Sequence, residues 1–162
     1  MDGCRILKFK INAFFDADHA GDRVTRRSQT GIIIFLGMAP IIWYSKRQNS
    51  VEVSSFGSEF VAMRIGTEMI KALRYKLRMF GIPIDGPANI FCDHQSVVTN
   101  VSTPDSVLKR KHNSIAYHFC REAIASGMII VKKVMSEHNI ADLFTKCLPP
   151  KARKYLTEKI TV

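Results

Sequence analysis

The amino-acid sequence predicts an α/β fold with a mixed five-stranded sheet flanked by helices, and three observations lead there. The first third carries three strand-like runs with short connections, a long helical pattern follows, and the remainder alternates short apolar strands with helices. Short connections make the first three strands an antiparallel meander, whereas strands separated by helices join a sheet in parallel through crossovers. The size fits one unit: 162 residues, 46% of them hydrophobic, suffice for one sizeable core, so residues 1–162 read as a single domain.

Each element follows from local pattern. Arg5 to Phe15 alternates polar and apolar residues, turns apolar and ends on Asp16, as a strand entering a core does. Asp18 to Arg27 is polar and reads as a turn. Thr30 to Leu36 and Ile41 to Tyr44 are β-branched or aromatic runs, separated by Gly37 and Pro40, and make the next two strands. Trp43 and Tyr44, within a strand, are expected to pack in the core, with stacking on nucleic-acid bases as the competing reading. Ser54, Ser55 and Ser58 offer capping side chains to a long helix. Its apolar stripe is predicted at Val61, Ile65, Met69, Ala72, Leu73, Leu77 and Phe80, with Gly81 and Pro83 as the stop. The opposite face carries Arg64, Glu68, Lys71, Tyr75 and Arg78 and is mainly basic.

Asn89 to Cys92 is a short apolar strand, and Asp93 stands where the chain turns into a helix over Ser96 to Val101. A second helix covers Asn113 to Ala125, closed by Gly127, and Met128 to Val134 forms the last strand. Asn139 can cap a helix from Ile140 to Lys146, and Pro149 and Pro150 break the chain before a basic tail helix in residues 149–162.

The net charge of +10 favours polyanions, because basic side chains neutralise phosphates and release counterions. A basic surface that only keeps the chain solvated is the competing reading. Cys4, Cys92, Cys120 and Cys147 show neither a paired spacing nor a neighbouring His in zinc-ligand spacing, so they read as reduced, mostly core thiols of an intracellular protein. The apolar stretches, such as Ile32 to Leu36, fall far short of the about 20 residues that span a bilayer, and the first residues are charged, which points away from membrane and secretion.

Acids are few in this basic chain, which makes their positions informative. Asp16 ends the first strand, Glu59 lies in the first turn of the long helix, Asp93 follows a buried strand, and Asp142 starts the last helix. Taken singly, each reads more readily as a helix-dipole charge or an ordinary turn residue than as a ligand. Taken together, they can converge on one sheet edge, where clustered carboxylates stay ionised only around cations. Oxygen-only ligands suit Mg²⁺ or Mn²⁺, and two such ions about 4 Å apart serve phosphodiester hydrolysis.

The segments FFDADHAGD, RRSQTGIIIFLG, PIIWYSKRQ, SSFGSEFVAM, IFCDHQSVV, KRKHNSIAYHFCREAI and ADLFTKCLP follow one another in order. Together, from Ile11 to Pro149, they resemble the successive blocks of copia-type retrotransposon ribonuclease H. The resemblance implies a ribonuclease H-like fold and assigns Asp16, Glu59, Asp93 and Asp142, in that order, the four catalytic positions. It implies two bound Mg²⁺ ions, with Mn²⁺ as a substitute, bridged by Asp16. It also implies an endonuclease that hydrolyses the RNA strand of RNA/DNA hybrids during reverse transcription and distinguishes RNA by its 2′-hydroxyl. The partner would be the reverse transcriptase polymerase domain of the same polyprotein, with residues 1–10 as the lead-in from it, and the setting a cytoplasmic particle or the nucleus.

Other positions follow from the same resemblance. His138, four residues before Asp142, matches a loop histidine that assists proton transfer or product release in many cellular ribonucleases H; a plain surface histidine is its other reading. Lys109, Arg110, Lys111 and His112 form the densest basic run and are expected to contact the hybrid backbone, against a solvated cluster. His19 replaces the family's usual Trp, and Gly57, Ser58 and Phe60 depart from the usual residues around Glu59. Two other classes remain open: a catalytically decayed or repurposed nucleic-acid-binding module of the same fold, and an integrase- or resolvase-like nuclease of the same superfold.

Overall fold

In the computed structural model, which describes residues 8–103 and 113–161, five strands form one mixed sheet in the order β3-β2-β1-β4-β5. The strands are β1 (Ile11–Asp18), β2 (Gln29–Leu36), β3 (Ala39–Arg47), β4 (Ala88–Cys92) and β5 (Ile129–Lys133). β1 is central, antiparallel to β2 and parallel to β4, and β4 is parallel to β5. This is the predicted meander plus parallel pair. The hairpin between β2 and β3 turns on Gly37, whose φ of 63° an L side chain adopts only with strain. β3 is an edge strand with an irregularity opposite Ile34 and Phe35, which is where a sheet tolerates Pro40.

The helices are α1 (Ser55–Met79), α2 (Gln95–Ser102), α3 (Ser114–Ala125) and α4 (Pro150–Glu158). The Ser54 side chain caps α1 by accepting from the Gly57 amide at 3.2 Å, Lys76 and Arg78 complement its C-terminal dipole, and Gly81 at φ 70° carries the chain away. Pro150 opens α4 at a position where its missing N–H has no partner to lose.

One face of the sheet packs Ile11, Ala13, Phe15, Ile32, Ile34 and Ile90 against Phe60, Met63 and Ile70 of α1 and Cys120 and Ala123 of α3. Gly66 is the point of closest approach, since a Cβ there would fall 2.3 Å from the Phe15 ring. On the other face Ile33 and Phe35 meet Ile140, Phe14, Leu143, Phe144 and Ile160. No described helix is long and apolar enough to cross a membrane.

Several sequence expectations need correction. Among the described residues the first strand begins at Ile11, preceded by an isolated bridge from Phe9 to Ile84, and Arg5 to Leu7 of the expected strand lie outside them. The buried stripe of α1 is Phe60, Met63, Gly66, Thr67, Ile70, Leu73 and Leu77, so Val61, Ile65 and Met69 are half-buried and Ala72 and Phe80 exposed. Small residues at 66 and 67 draw the helix onto β1, so the contact face runs through Phe60, Met63 and Ile70 instead of Val61, Ile65 and Met69. Trp43 is 67% exposed, because among the described residues nothing covers its side of the edge strand, while Tyr44 on the alternate face packs against the core. Residues Ile140–Phe144 form a 3₁₀ turn instead of a helix, following another at Ser136–His138. Cys92 and Cys120 are buried thiols, Cys147 is an exposed one, and Cys4 lies outside the described residues.

Candidate active site

Asp16 sits near the end of central β1, where the parallel neighbour β4 delivers Asp93 directly after its last residue. The long helix α1 starts over the same end of the sheet and lowers Glu59 onto β1 from just beyond its first turn, which holds no acid, one step later than the sequence pattern placed it. Glu59 Oε1 accepts a hydrogen bond from the Ala17 amide at 3.2 Å. Oxygens of Asp16, Asp93 and Asp142 lie within 4.8 Å of one another, and ligand atoms of Glu59, Cys92 and Asp93 form a second group of the same span. Asp93 belongs to both groups, so the four predicted acids share one continuous site.

Asp142 arrives from the far end of the sequence on the 3₁₀ turn Ile140–Phe144, and three contacts seat that turn. Asn139, fully buried, donates through Nδ2 to the Phe15 carbonyl at 2.9 Å and accepts the Ala141 amide on Oδ1 at 3.2 Å. Ser45 Oγ donates to the Phe144 carbonyl at 2.6 Å. Gly31, the register partner of Asp16, leaves the space the turn fills: a Cβ there would lie 2.7 Å from the Ala141 carbonyl oxygen and 2.7 Å from Thr145 Cγ2.

The electrostatics are those of crowded, desolvated carboxylates. Burial, and then the charges of Asp16 and Asp93, push Glu59 well above the usual carboxylate range. Burial and Asp16 raise Asp142 to about 6, against the opposing pull of Lys146. Glu59 Oε2 is buried with no hydrogen-bond partner among the described residues. A buried carboxylate oxygen left without a donor, among acids that repel one another, suits a bound cation, and the oxygen-rich donor set fits a hard divalent ion.

Two side chains that sequence reasoning assigned no role complete the site. Lys146 Nζ lies 3.0 Å from Asp142 Oδ1 and 3.2 Å from Asp16 Oδ1, and the Thr145 hydroxyl donates to Asp16 Oδ2. The i, i+4 spacing of Asp142 and Lys146 was a visible signal for their own pairing. Nothing local could foretell the grip on Asp16, 130 residues away. Burial would lower the Lys146 ammonium, but Asp16 and Asp142 overcome that and raise it.

His138 is partly exposed, with Nδ1 2.9 Å from the Tyr155 hydroxyl of α4, and it lines one groove with Asp142, Glu137 and Leu156. A second groove leads from Lys146 and Thr145 past Asp18, Gln29, Arg27 and Arg47. His19 has a buried Nδ1 without a hydrogen-bond partner among the described residues. Lys109, Arg110, Lys111 and His112 lie outside the described residues.

No protein-family profile matches the chain. Among known proteins it is 33% identical over 152 residues to the retrovirus-related Pol polyprotein from transposon RE1 of Arabidopsis thaliana, covering 94% of this chain and 10% of that protein. It is 31% identical over 140 residues to the corresponding polyprotein from transposon TNT 1-94 of Nicotiana tabacum, covering 86% of this chain and again 10% of the relative. The chain thus spans about a tenth of the length of these curated relatives.

Among solved structures, the N-terminal RNase H domain of a Mycobacterium tuberculosis protein superposes with a TM-score of 0.63 at 14% identity, over 93% of this chain and 98% of that one. LC11-RNase H1, solved in complex with RNA/DNA hybrid, gives 0.63 at 16% identity over 84% and 94%. The foamy viral protease-reverse transcriptase, also in complex with RNA/DNA hybrid, gives 0.56 at 16% identity over 86% of this chain and 20% of that one. At such identities these structures establish the fold, and the transposon sequences establish the kinship. The chain belongs to the copia-type family of retrovirus-related Pol polyproteins of transposons, and the segment of them that it matches has the ribonuclease H fold.

Proposed function

We propose that the chain is a ribonuclease H, an endonuclease that hydrolyses the RNA strand of RNA/DNA hybrids during retrotransposon reverse transcription. The observation that carries this reading is the convergence of Asp16, Glu59, Asp93 and Asp142 at one end of the sheet. In this reading the four acids hold two Mg²⁺ ions, or Mn²⁺ in their place, and these would supply the positive charge that an in-line phosphodiester displacement needs at its attacking and leaving oxygens.

The chain's own residues provide the rest. Glu59 is fixed by the Ala17 amide, and Asp142 by the Asn139 anchor, so the carboxylates are preorganised on strand and helix termini. Arg27 and Arg47, in the groove beside the acids, offer cations to a polynucleotide backbone, with Arg47 also paired to Asp22, and Lys109, Arg110, Lys111 and His112 are further expected backbone contacts. His138, in the neighbouring groove with Asp142, assists proton transfer or product release as an auxiliary group. The polymerase domain of the same polyprotein is the expected partner, inside the cell. The relatives' length, about ten times that of the match, leaves ample room for such a domain.

The test is cleavage of a labelled RNA/DNA hybrid in Mg²⁺ and in Mn²⁺, with duplex DNA as control and Asp93→Asn in parallel. Metal-dependent cutting of the RNA strand alone, reduced at least a hundredfold in the variant, is expected, on the order of losing one preorganised charge contact. Salt-sensitive hybrid binding without any cleavage, in this chain and in a fusion to its polymerase, would instead identify a binding module.

A further inference from the structure

Asp16 is the acid at the heart of the proposed site, yet both of its oxygens are already engaged. Thr145 donates to Oδ2, and the ammonium of Lys146 lies 3.2 Å from Oδ1 while also reaching Asp142 Oδ1 at 3.0 Å. An ammonium nitrogen that close to two carboxylates from different elements occupies the space in which a cation bridging them would sit. A divalent ion needs the same lone pairs at about 2.0–2.1 Å, and two cations cannot share that space without strong repulsion.

We propose that Lys146 is a resident counter-ion of the metal site, holding Asp16 and Asp142 together until a divalent ion displaces it. This rests on the metal-binding reading above. Its geometry suits exchange. The Lys146 side chain is 36% exposed at the rim of the groove lined by Asp18, Gln29, Arg27 and Arg47, so its flexible stem can swing outward without unpacking the core. The carboxylates it leaves keep their place, because Asp142 is seated by the Asn139 anchor and Asp16 by the central strand.

A plain structural ion pair would behave differently. It would tie Asp142 to the turn and cost the same stability with or without metal when removed. A resident counter-ion stabilises the metal-free protein alone and opposes the incoming ion.

The experiment measures Mg²⁺ binding by calorimetry, and thermal stability in EDTA and in saturating Mg²⁺, for the wild-type chain, Lys146→Met, Lys146→Arg and Asp16→Asn. Lys146→Met should bind Mg²⁺ about tenfold more tightly, since one positive charge beside the ion is gone. It should lose stability in EDTA and recover most of that loss in Mg²⁺, while Lys146→Arg stays near wild type in both. Unchanged or weaker Mg²⁺ binding by Lys146→Met, or an equal stability loss in both media, would overturn the inference while leaving the metal site intact. Wild-type binding that Asp16→Asn does not diminish, or no binding at all, would overturn the metal reading and this inference with it.

Discussion

Asn139→Ala tests how the acid from the far end of the chain is brought to the site. The Asn139 side chain is fully buried and holds two backbone groups, the Phe15 carbonyl on the central strand and the Ala141 amide at the start of the turn bearing Asp142. Ala141 is itself fully buried, so water does not readily replace the lost partner. Each buried backbone group left unpaired costs about 1–3 kcal/mol, and after partial relaxation the two together give an expected loss of about 2–4 kcal/mol. That is a large part of the about 5–15 kcal/mol available to a typical domain. Urea denaturation monitored by circular dichroism reads it as a lowered midpoint at unchanged slope. Because the same turn carries Asp142 and leads directly into Thr145 and Lys146, Mg²⁺ binding should weaken as well. A loss below about 1 kcal/mol would refute the reasoning. It would mean that apolar packing of Ile140 on Ile33 and Phe35 seats the turn and that the hydrogen bonds are incidental.

Two further predictions concern the core and the acids. Gly66→Ala should destabilise by about 1–3 kcal/mol despite alanine's better helix propensity, because its Cβ would meet the fully buried Phe15 ring at 2.3 Å and α1 would have to lift from β1. Adding Phe15→Leu should recover part of the loss in thermal melts, and strictly additive effects of the two changes would exclude the clash. Asp142 has its folded pKa raised to about 6, so the folded state holds its proton more tightly than the unfolded chain does, and the stability this contributes falls as pH rises from about 4 through about 6. In EDTA the wild-type stability minus that of Asp142→Asn should therefore decline across that window. Burial of His94 lowers its pKa and gives the opposite slope, but in both proteins, so it cancels in the difference. A difference that rises with pH would contradict the desolvation of Asp142.

The four acids were legible in the sequence because carboxylates are scarce in a chain of net charge +10, and each stands where an apolar strand or a helix start meets a turn. Alternation and β-branched runs likewise marked the strands, and the helical repeat marked α1, since these patterns are local and their periods differ. Which way α1 faces was not legible. Val61, Ile65 and Met69 make as good an apolar stripe as Phe60, Met63 and Ile70, but Gly66 on the second stripe lets the helix approach Phe15, and that fit depends on the opposing strand. Trp43 misled for a related reason, because strand periodicity tells which residues share a sheet face but not whether anything covers it. The composition of the site beyond its acids was decided by tertiary structure alone. Asn139 reaches Phe15 and the Thr145–Lys146 pair reaches Asp16 across well over a hundred residues of chain, and contacts at such separation leave no periodic trace because they exist only once β1 and the 3₁₀ turn lie against each other.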